Sequence, residues 1–330
     1  MSRNVVDAVI EFCKEKGLED AFCFIPSYRQ IDTPSGYVND WSTAAFVDYV
    51  RERSSIAVMR DHAGVNQGSS RYSWWESLYA DLDAGVDAIH VDPWKEMAGQ
   101  RIPHHLASAM TVAIINACEA TQAKGLIYEI GTEQAIHKYI NGQELHAFLS
   151  EVQDQLGSEV WDRVKWVVVQ SGSNVFDLDN SGNVTFGRER CRELVEACRS
   201  FGKRAKEHNA DFLTIGSMAE RMDVGVDAFN IAPELGTIET RAILQQLDEH
   251  DMHLERSELI HKCVQSDRWK RWVAVTGKGA DRFALACGHY HFTDPWFVKI
   301  REALMRKTDI NLIIRARLKE RLEELVCLIE

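Results

Sequence analysis

Two rhythms of apolar residues alternate along the chain. Short runs dense in apolar residues read as buried strands, and stretches with apolar positions every three or four residues read as amphipathic helices. The strand-like runs are Ala21–Ile25, Ile56–Met59, Ala88–Asp92, Leu126–Ile130, Val164–Gln170, Phe212–Ile215, Ala228–Ala232 and Phe283–Cys287. The helical rhythm predicts helices over Val5–Lys16, Ser42–Arg53, Trp74–Gly85, Leu106–Ala123, Glu144–Leu156, Arg188–Asn209, from Ile238 onward, and over Pro295–Lys307. Gly17, Gly85 and Gly125 stand where helices should stop, Pro26 where a strand should, and Ser42 where a helix should start. Eight strand-like runs alternating with helices predict an α/β protein, a single (β/α)8 TIM barrel spanning 1–330. A doubly wound open sheet is the alternative; the sequence has neither a dinucleotide nor a P-loop glycine fingerprint to favour it. The charged amphipathic segment 311–330 falls outside the barrel count. It reads as a C-terminal helical extension packed on the outside, with a subunit contact as the second reading.

Composition narrows the function classes. The chain of 330 residues is 45% hydrophobic and 27% charged, with a net charge of -12. That acidity argues against nucleic acid, which needs a basic face. No run of about 18 apolar residues exists to span a membrane, and the N-terminus lacks the apolar core of a signal peptide. A cytoplasmic protein is expected. Eight cysteines without a CxxC pair read as reduced, mostly buried thiols, and no structural zinc site made of cysteines is expected.

In a barrel, the polar residues that end each strand converge on one mouth. Here they are Gln30 and Asp32, Asp61 and His62, His90 and Asp92, Glu129 and Glu133, Gln170, Ser217 and Glu220, Asn230 and Glu234, and His289 and His291. Carboxylates and imidazoles gathered in a cleft can hold a divalent metal and leave one acid free for proton transfer. Each has a plainer reading as well. Asp61 and His62 could be satisfied by loop amides, His90 could face the interface between sheet and helices, and Glu129 could face a helix. His289 and His291 are either two imidazoles on one face at strand spacing or part of a polar loop. Three turns could cradle a phosphate: Ser171-Gly172-Ser173, Gly216-Ser217 and Thr276-Gly277-Lys278-Gly279.

An ordered series of short motifs resembles the GatZ/KbaZ family, the non-catalytic subunits of class II tagatose-bisphosphate aldolase. Arg29-Gln30-Ile31-Asp32 is similar to the family's Asn-Gln-Val-Asp, and Asp61-His62-Ala63-Gly64-Val65-Asn66 to its Asp-His-Leu-Gly-Pro-Asn. Ala84-Gly85-Val86-Asp87-Ala88-Ile89-His90-Val91-Asp92 resembles Ala-Gly-Phe-x-Lys-Ile-His-Leu-Asp. Ile130-Gly131-Thr132-Glu133 and Val168-Val169-Gln170 repeat the family's own residues, and Asn230-Ile231-Ala232-Pro233-Glu234-Leu235 is similar to Lys-Val-Gly-Pro-Ala-Leu.

The resemblance implies a TIM barrel related to class II aldolases and to ketose 4-epimerases. It implies Asp61 as the proton-transfer acid, His62 as a metal ligand, and Glu133 as a second ligand or base. Gln30, Asn66, Asp92, Gln170 and Asn230 fall to the substrate, a ketose or ketose phosphate. The metal would be a divalent ion such as zinc. The chemistry implied is metal-assisted retro-aldol cleavage or C4 epimerisation. The alternative is a catalytically silent barrel that stabilises a separate aldolase subunit; a homo-oligomer is also open.

Three departures matter. Where the family has Glu-Ala-His-Ser-Thr-Asp after strand six, the chain aligns as Ile215-Gly216-Ser217-Met218-Ala219-Glu220, so a ligand histidine becomes Ser217. A Gly-Gly pair is missing from 134–141. Near strand eight, arginines that could face phosphate give way to His289 and His291. Either the metal shell is rearranged, with His289 expected as the third ligand and His291 as second choice, or the site no longer binds metal.

Overall fold

The computed structural model describes residues 2–32, 39–65, 67, 73–94, 102–121, 125–131, 141–275 and 279–328. Among them, seven parallel strands form one curled sheet: β1 (Cys23–Phe24), β2 (Ala57–Ala63), β3 (Ala88–Val91), β4 (Ile127–Ile130), β5 (Val164–Val169), β8 (Arg204–Glu207) and β9 (Val226–Phe229). A short antiparallel ribbon, β6 (Val175–Phe176) with β7 (Asp179–Asn180), follows β5. Strand order in the sheet is β1-β2-β3-β4-β5-β8-β9, rising without reversal. A doubly wound sheet reverses at its switch point, so that alternative is excluded.

Local chemistry accounts for the elements. The helix Trp74–Ala84 opens with a reciprocal capping box between Ser73 and Glu76 and closes on Gly85 at φ 73°. Ser42 caps Thr43–Arg51 by accepting from the Ala45 amide. Strands β3 to β5 are buried for almost their whole length, as expected of a parallel sheet covered by helices.

Three expectations need correction. Phe283–Cys287 is the end of a helix, Asp281–Cys287, so the eighth strand is absent from the described residues and closure into a full barrel is not shown. A short Ala- and Leu-rich run fits either structure, and helix propensity decided. The sixth strand is Arg204–Glu207 rather than Phe212–Ile215, because the preceding helix ends at Ser200 and Gly202 turns the chain at φ 69°. The seventh starts at Val226, two residues earlier than expected.

One large core lies between β1–β5 and their helices; a second is built by the C-terminal helices Pro233–Glu249, His253–Gln265, Asp281–Cys287, Pro295–Met305 and Ile310–Val326. The last of these does not project. Ile310, Ile314, Leu318, Leu322 and Val326 are buried at four-residue spacing. Lys319 pairs with Glu11 and Glu15 of the N-terminal helix at 3.0 and 2.8 Å.

Candidate active site

Strand β2 reaches further than its apolar run and carries Asp61 and His62 inside it. Adjacent residues of a regular strand point to opposite faces. Here His62 takes a left-handed φ of 56°, and the register with β3 shifts between Arg60 and Ala63. This irregularity lets both Asp61 and His62 line one cavity. A non-glycine residue in that region costs about 1–2 kcal/mol. Gly64 follows for a steric reason, since a Cβ there would stand 2.5 Å from the Asp92 carbonyl oxygen. The chain thus passes close over Asp92 and sets its carboxylate beneath His62.

Three imidazoles meet at the strand ends. Ring centroids lie 5.1 Å apart for His62 and His90, 4.7 Å for His90 and His208, and 5.9 Å for His62 and His208. Each is anchored through one ring nitrogen. His62 Nδ1 donates to Asp92 Oδ2 at 2.8 Å, and His90 Nε2 donates to the Gly131 carbonyl oxygen at 3.2 Å. His208 Nε2 donates to Glu129 Oε1 at 2.6 Å. Carboxylate or carbonyl anchors of this kind fix the tautomer and aim the other nitrogen, as around metal-binding histidines.

The remaining nitrogens of two rings converge on Asp61. His90 Nδ1 is 2.9 Å from Asp61 Oδ1, and His62 Nε2 is 3.4 Å from Asp61 Oδ2. With each ring's proton on its anchored nitrogen, lone pairs face a carboxylate, and the His62 backbone N–H also donates to His90 Nδ1 at 3.4 Å. A proton or a cation between rings and carboxylate would relieve the facing lone pairs. Burial pushes the Asp61 carboxyl up, but His62 and the His90 contact bring it below its ordinary value. Two groups of described residues have ligand atoms within 4.8 Å of one another here: Asp61 with His90 and His208, and His62 with His90 and Asp92.

Behind the histidines, Glu129 receives Lys206 Nζ at 2.6 Å as well as His208. Burial would raise this carboxyl; Lys206 and His208 hold it well below the carboxylate range. The cavity in front measures about 390 Å3. Besides Asp61, His62 and His208, its lining includes Gln30, Asp211, Asn230 and His289, with Arg29 and Arg271. The Asn230 side-chain amide is buried without a hydrogen-bond partner among the described residues. Asp211 accepts from the Ala232 and Glu234 amides at 2.8 and 2.9 Å, and burial pushes its carboxyl up to about 7.

The other expected site residues are distributed differently. Glu133 and Asn66 lie outside the described residues, as does Thr276-Gly277-Lys278. Asp92 is buried behind His62, and Gln170 lines a separate small recess with Trp94 and Gly131. Ser217 sits in the helix Ile215–Met222, where its hydroxyl donates to the Gly182 carbonyl oxygen at 3.0 Å, and Glu220 is exposed. Ser171 and Ser173 donate to Glu207, so that turn is bound up in a buried network with Arg221. His289 lines the cavity but belongs to no metal-capable group among the described residues, and burial pulls its imidazole down to about 3. His291 points elsewhere, into a group with Cys263 and Cys287.

His208 was hidden from the sequence reading by the misplaced sixth strand. The clue was available: the helix pattern stops at Phe201-Gly202, and Lys206-Glu207-His208 follows at strand length.

No protein-family model and no curated protein sequence matches this chain. Solved structures do. A probable tagatose 6 phosphate kinase from Sinorhizobium meliloti 1021 superposes with a TM-score of 0.76 at 16% identity, covering 99% of this chain and 98% of its own. The YdjI aldolase from Escherichia coli K12 gives 0.54 at 12% identity over 99% and 88%. The fructuronate-tagaturonate epimerase UxaE from Cohnella laeviribosi gives 0.56 at 11% over 85% and 70%. The likeness is one of fold. Among the described residues, no helix is long and apolar enough to cross a membrane.

Proposed function

We propose that the chain is a metal-dependent enzyme acting on a ketose or ketose phosphate, by retro-aldol cleavage or C4 epimerisation. One observation carries the reading: the lone pairs of two anchored imidazoles converge on the Asp61 carboxylate at the edge of a cavity. This donor set fits a divalent ion of borderline character such as zinc. His62, His90 and His208 would hold it, with Asp92, the Gly131 carbonyl and Glu129 fixing their orientation. Bound there, the ion would polarise a ketose carbonyl.

The protein's own groups do the rest. Asp61 takes the proton from the hydroxyl on the far side of the scissile C–C bond. That carbon becomes an aldehyde, and the electron pair of the broken bond moves toward the ketose carbonyl. Reclosure on the opposite aldehyde face, with Asp61 returning the proton, gives the C4 epimer; escape of the aldehyde gives cleavage. Asn230 offers an unsatisfied amide to a substrate hydroxyl. Arg29 and Arg271 supply positive charge to the cavity wall, which favours an anionic sugar. Glu133 keeps its expected role as second ligand or base.

The silent-subunit alternative, which the family resemblance brings with it, is favoured by the loss of a ligand histidine at Ser217. With the sixth strand at Arg204–Glu207, the stretch in that position is Lys206-Glu207-His208-Asn209-Ala210-Asp211, which retains both histidine and aspartate. The test is to purify the full chain without chelator, measure its metal content, and follow ketoses, ketose phosphates and ketose acids by NMR with and without EDTA. Chelator-sensitive cleavage or C4 inversion is expected. A metal-loaded protein inert on all three substrate classes would refute the reading.

A further inference from the structure

The second core holds a group that the chemistry above does not use. Cys263 lies in the helix His253–Gln265, Cys287 ends the helix Asp281–Cys287, and His291 ends the tight turn Gly288–His291. All three side chains are buried, and their ligand atoms lie within 4.8 Å of one another. His291 is the decisive member. Its Nδ1 donates to Asp294 Oδ2 at 2.6 Å, while its Nε2 is buried without a hydrogen-bond partner among the described residues. A buried ring nitrogen left unpaired costs about 1–3 kcal/mol unless something else satisfies it. The two thiols face each other and Cys287 also faces the His291 ring, so the three ligand atoms have mainly one another as neighbours. Cys287 Sγ is besides 3.7 Å from the Cys263 carbonyl oxygen and 4.0 Å from Ser266 Oγ.

We infer that Cys263, Cys287 and His291 form a structural zinc site, with Asp294 orienting the histidine. Thiolates about 2.3 Å and an imidazole nitrogen about 2.0–2.1 Å from a tetrahedral ion stand roughly 3.5–3.8 Å from each other, inside the 4.8 Å within which these three ligand atoms lie. The carboxylate behind His291 is the support that zinc-bound histidines use. The fourth position falls to water or to Ser266. Binding releases the two thiol protons to solvent and ties two helices and a turn together. The cysteines sit on two different helices with a long connection between them, which is why their spacing resembles no zinc motif.

The tie has a consequence for the cavity. His289 lies in the turn between Cys287 and His291, and its ring lines the cavity from that position. The turn is pressed against the helix Pro233–Glu249 so closely that a Cβ on Gly236 would stand 2.7 Å from His289 Cβ, and one on Gly288 2.6 Å from Thr240 Cγ2. Holding both ends of this turn fixes the part of the cavity wall that His289 forms.

Cobalt substitution tests the inference on the full-length protein. Co2+ bound by thiolates gives sulfur-to-metal charge-transfer absorption in the near ultraviolet, which the oxygen and nitrogen donors around Asp61 cannot produce. Wild type is expected to show this band at about one equivalent, and His208→Ala to retain it. Cys263→Ser and Cys287→Ser should each lose it, and His291→Ala should weaken cobalt binding at least tenfold. Loaded, folded wild type lacking the band would overturn the site, whatever the fate of the proposed activity. So would a band that survives both cysteine substitutions together, or an intact mass two hydrogens low from a Cys263–Cys287 disulfide.

Discussion

Among the described residues, ligand-grade side chains gather in two places, and the two clusters are built in opposite ways. The one around Asp61 draws on β2, β3 and the turn after β8, so its members are far apart in sequence and meet through strand register. The one around His291 comes from a single stretch of helix, helix and turn, within residues 263–291. The first opens on a cavity and is supported on every side by hydrogen bonds. The second is enclosed by the apolar residues of the C-terminal core, with one carboxylate behind it. A cluster that opens on a cavity leaves room for substrate and suits chemistry, whereas one enclosed in a helical core suits holding a fold together. A rigid sheet can present reactive groups because their positions do not depend on what they bind; a helical assembly would gain its fixed shape by binding the proposed ion.

The largest test of this contrast is Asp61→Asn. Turnover on the true substrate should fall roughly 10²–10⁴-fold, the worth of a general acid–base group, with circular dichroism and metal content near wild type. Cys263→Ser, which touches nothing in the cavity, should change turnover far less. Equal losses would erase the distinction.

Glu129→Gln comes next. It leaves Lys206 and His208 buried without their carboxylate, and removing one partner of such a group costs about 3–5 kcal/mol. Urea unfolding would show it as a lower midpoint at unchanged slope; a stability within error of wild type would mean the interior pairing is not what holds the mouth.

Gly64→Ala should cost about 1–3 kcal/mol through overpacking against the Asp92 backbone. The displaced Asp92 should also loosen His62, read as weaker metal binding. Normal affinity would show that the carboxylate anchor is dispensable.

The effect smallest per unit of change is a pH slope. Burial raises Asp211 to about 7, above its unfolded value near 3.8. Between those limits the folded chain binds the extra proton, so this residue's contribution makes stability fall as pH rises, by at most about 1.4 kcal/mol per pH unit. Asp211→Asn should flatten the profile between pH 4 and 7. Glu129, held low, acts the other way: its contribution is full above about 4.5 and fades in acid. An unchanged slope in Asp211→Asn would show that Asp211 is ionised throughout.

How far these features could be read beforehand depended on how each side chain is buried. Strands β2 to β5 announce themselves because their buried faces are apolar, and Asp61 and His62 were found because they end such a run. Strand β8 was invisible for the opposite reason. Arg204-Ala205-Lys206-Glu207 looks like a solvated helix end, yet Lys206 and Glu207 are buried, each matched by a partner on another element. Only the fold supplies Glu129 and Arg221 to receive them. The same blindness left His208 unnoticed, while His289, expected as a ligand, does line the cavity. The ambiguity over His90 was resolved by Asp61 and the Gly131 carbonyl, which hold its ring on the inner face of the sheet.

Glu129 also has a mechanical side. It stands on β4, while Lys206 and His208 belong to β8 and the turn after it, with β5 lying between. Neighbouring strands are about 4.8 Å apart, so this one carboxylate spans two strand spacings on the concave side. A closed barrel keeps its curvature because every edge is bonded to another. Among the described residues no ladder joins β9 back to β1. The carboxylate therefore works as a tie-rod across an arch: it sets how tightly the sheet curls, and with it the spacing between His90 and His208. Cutting it would let the arch relax and the two imidazoles drift apart, even with every strand intact.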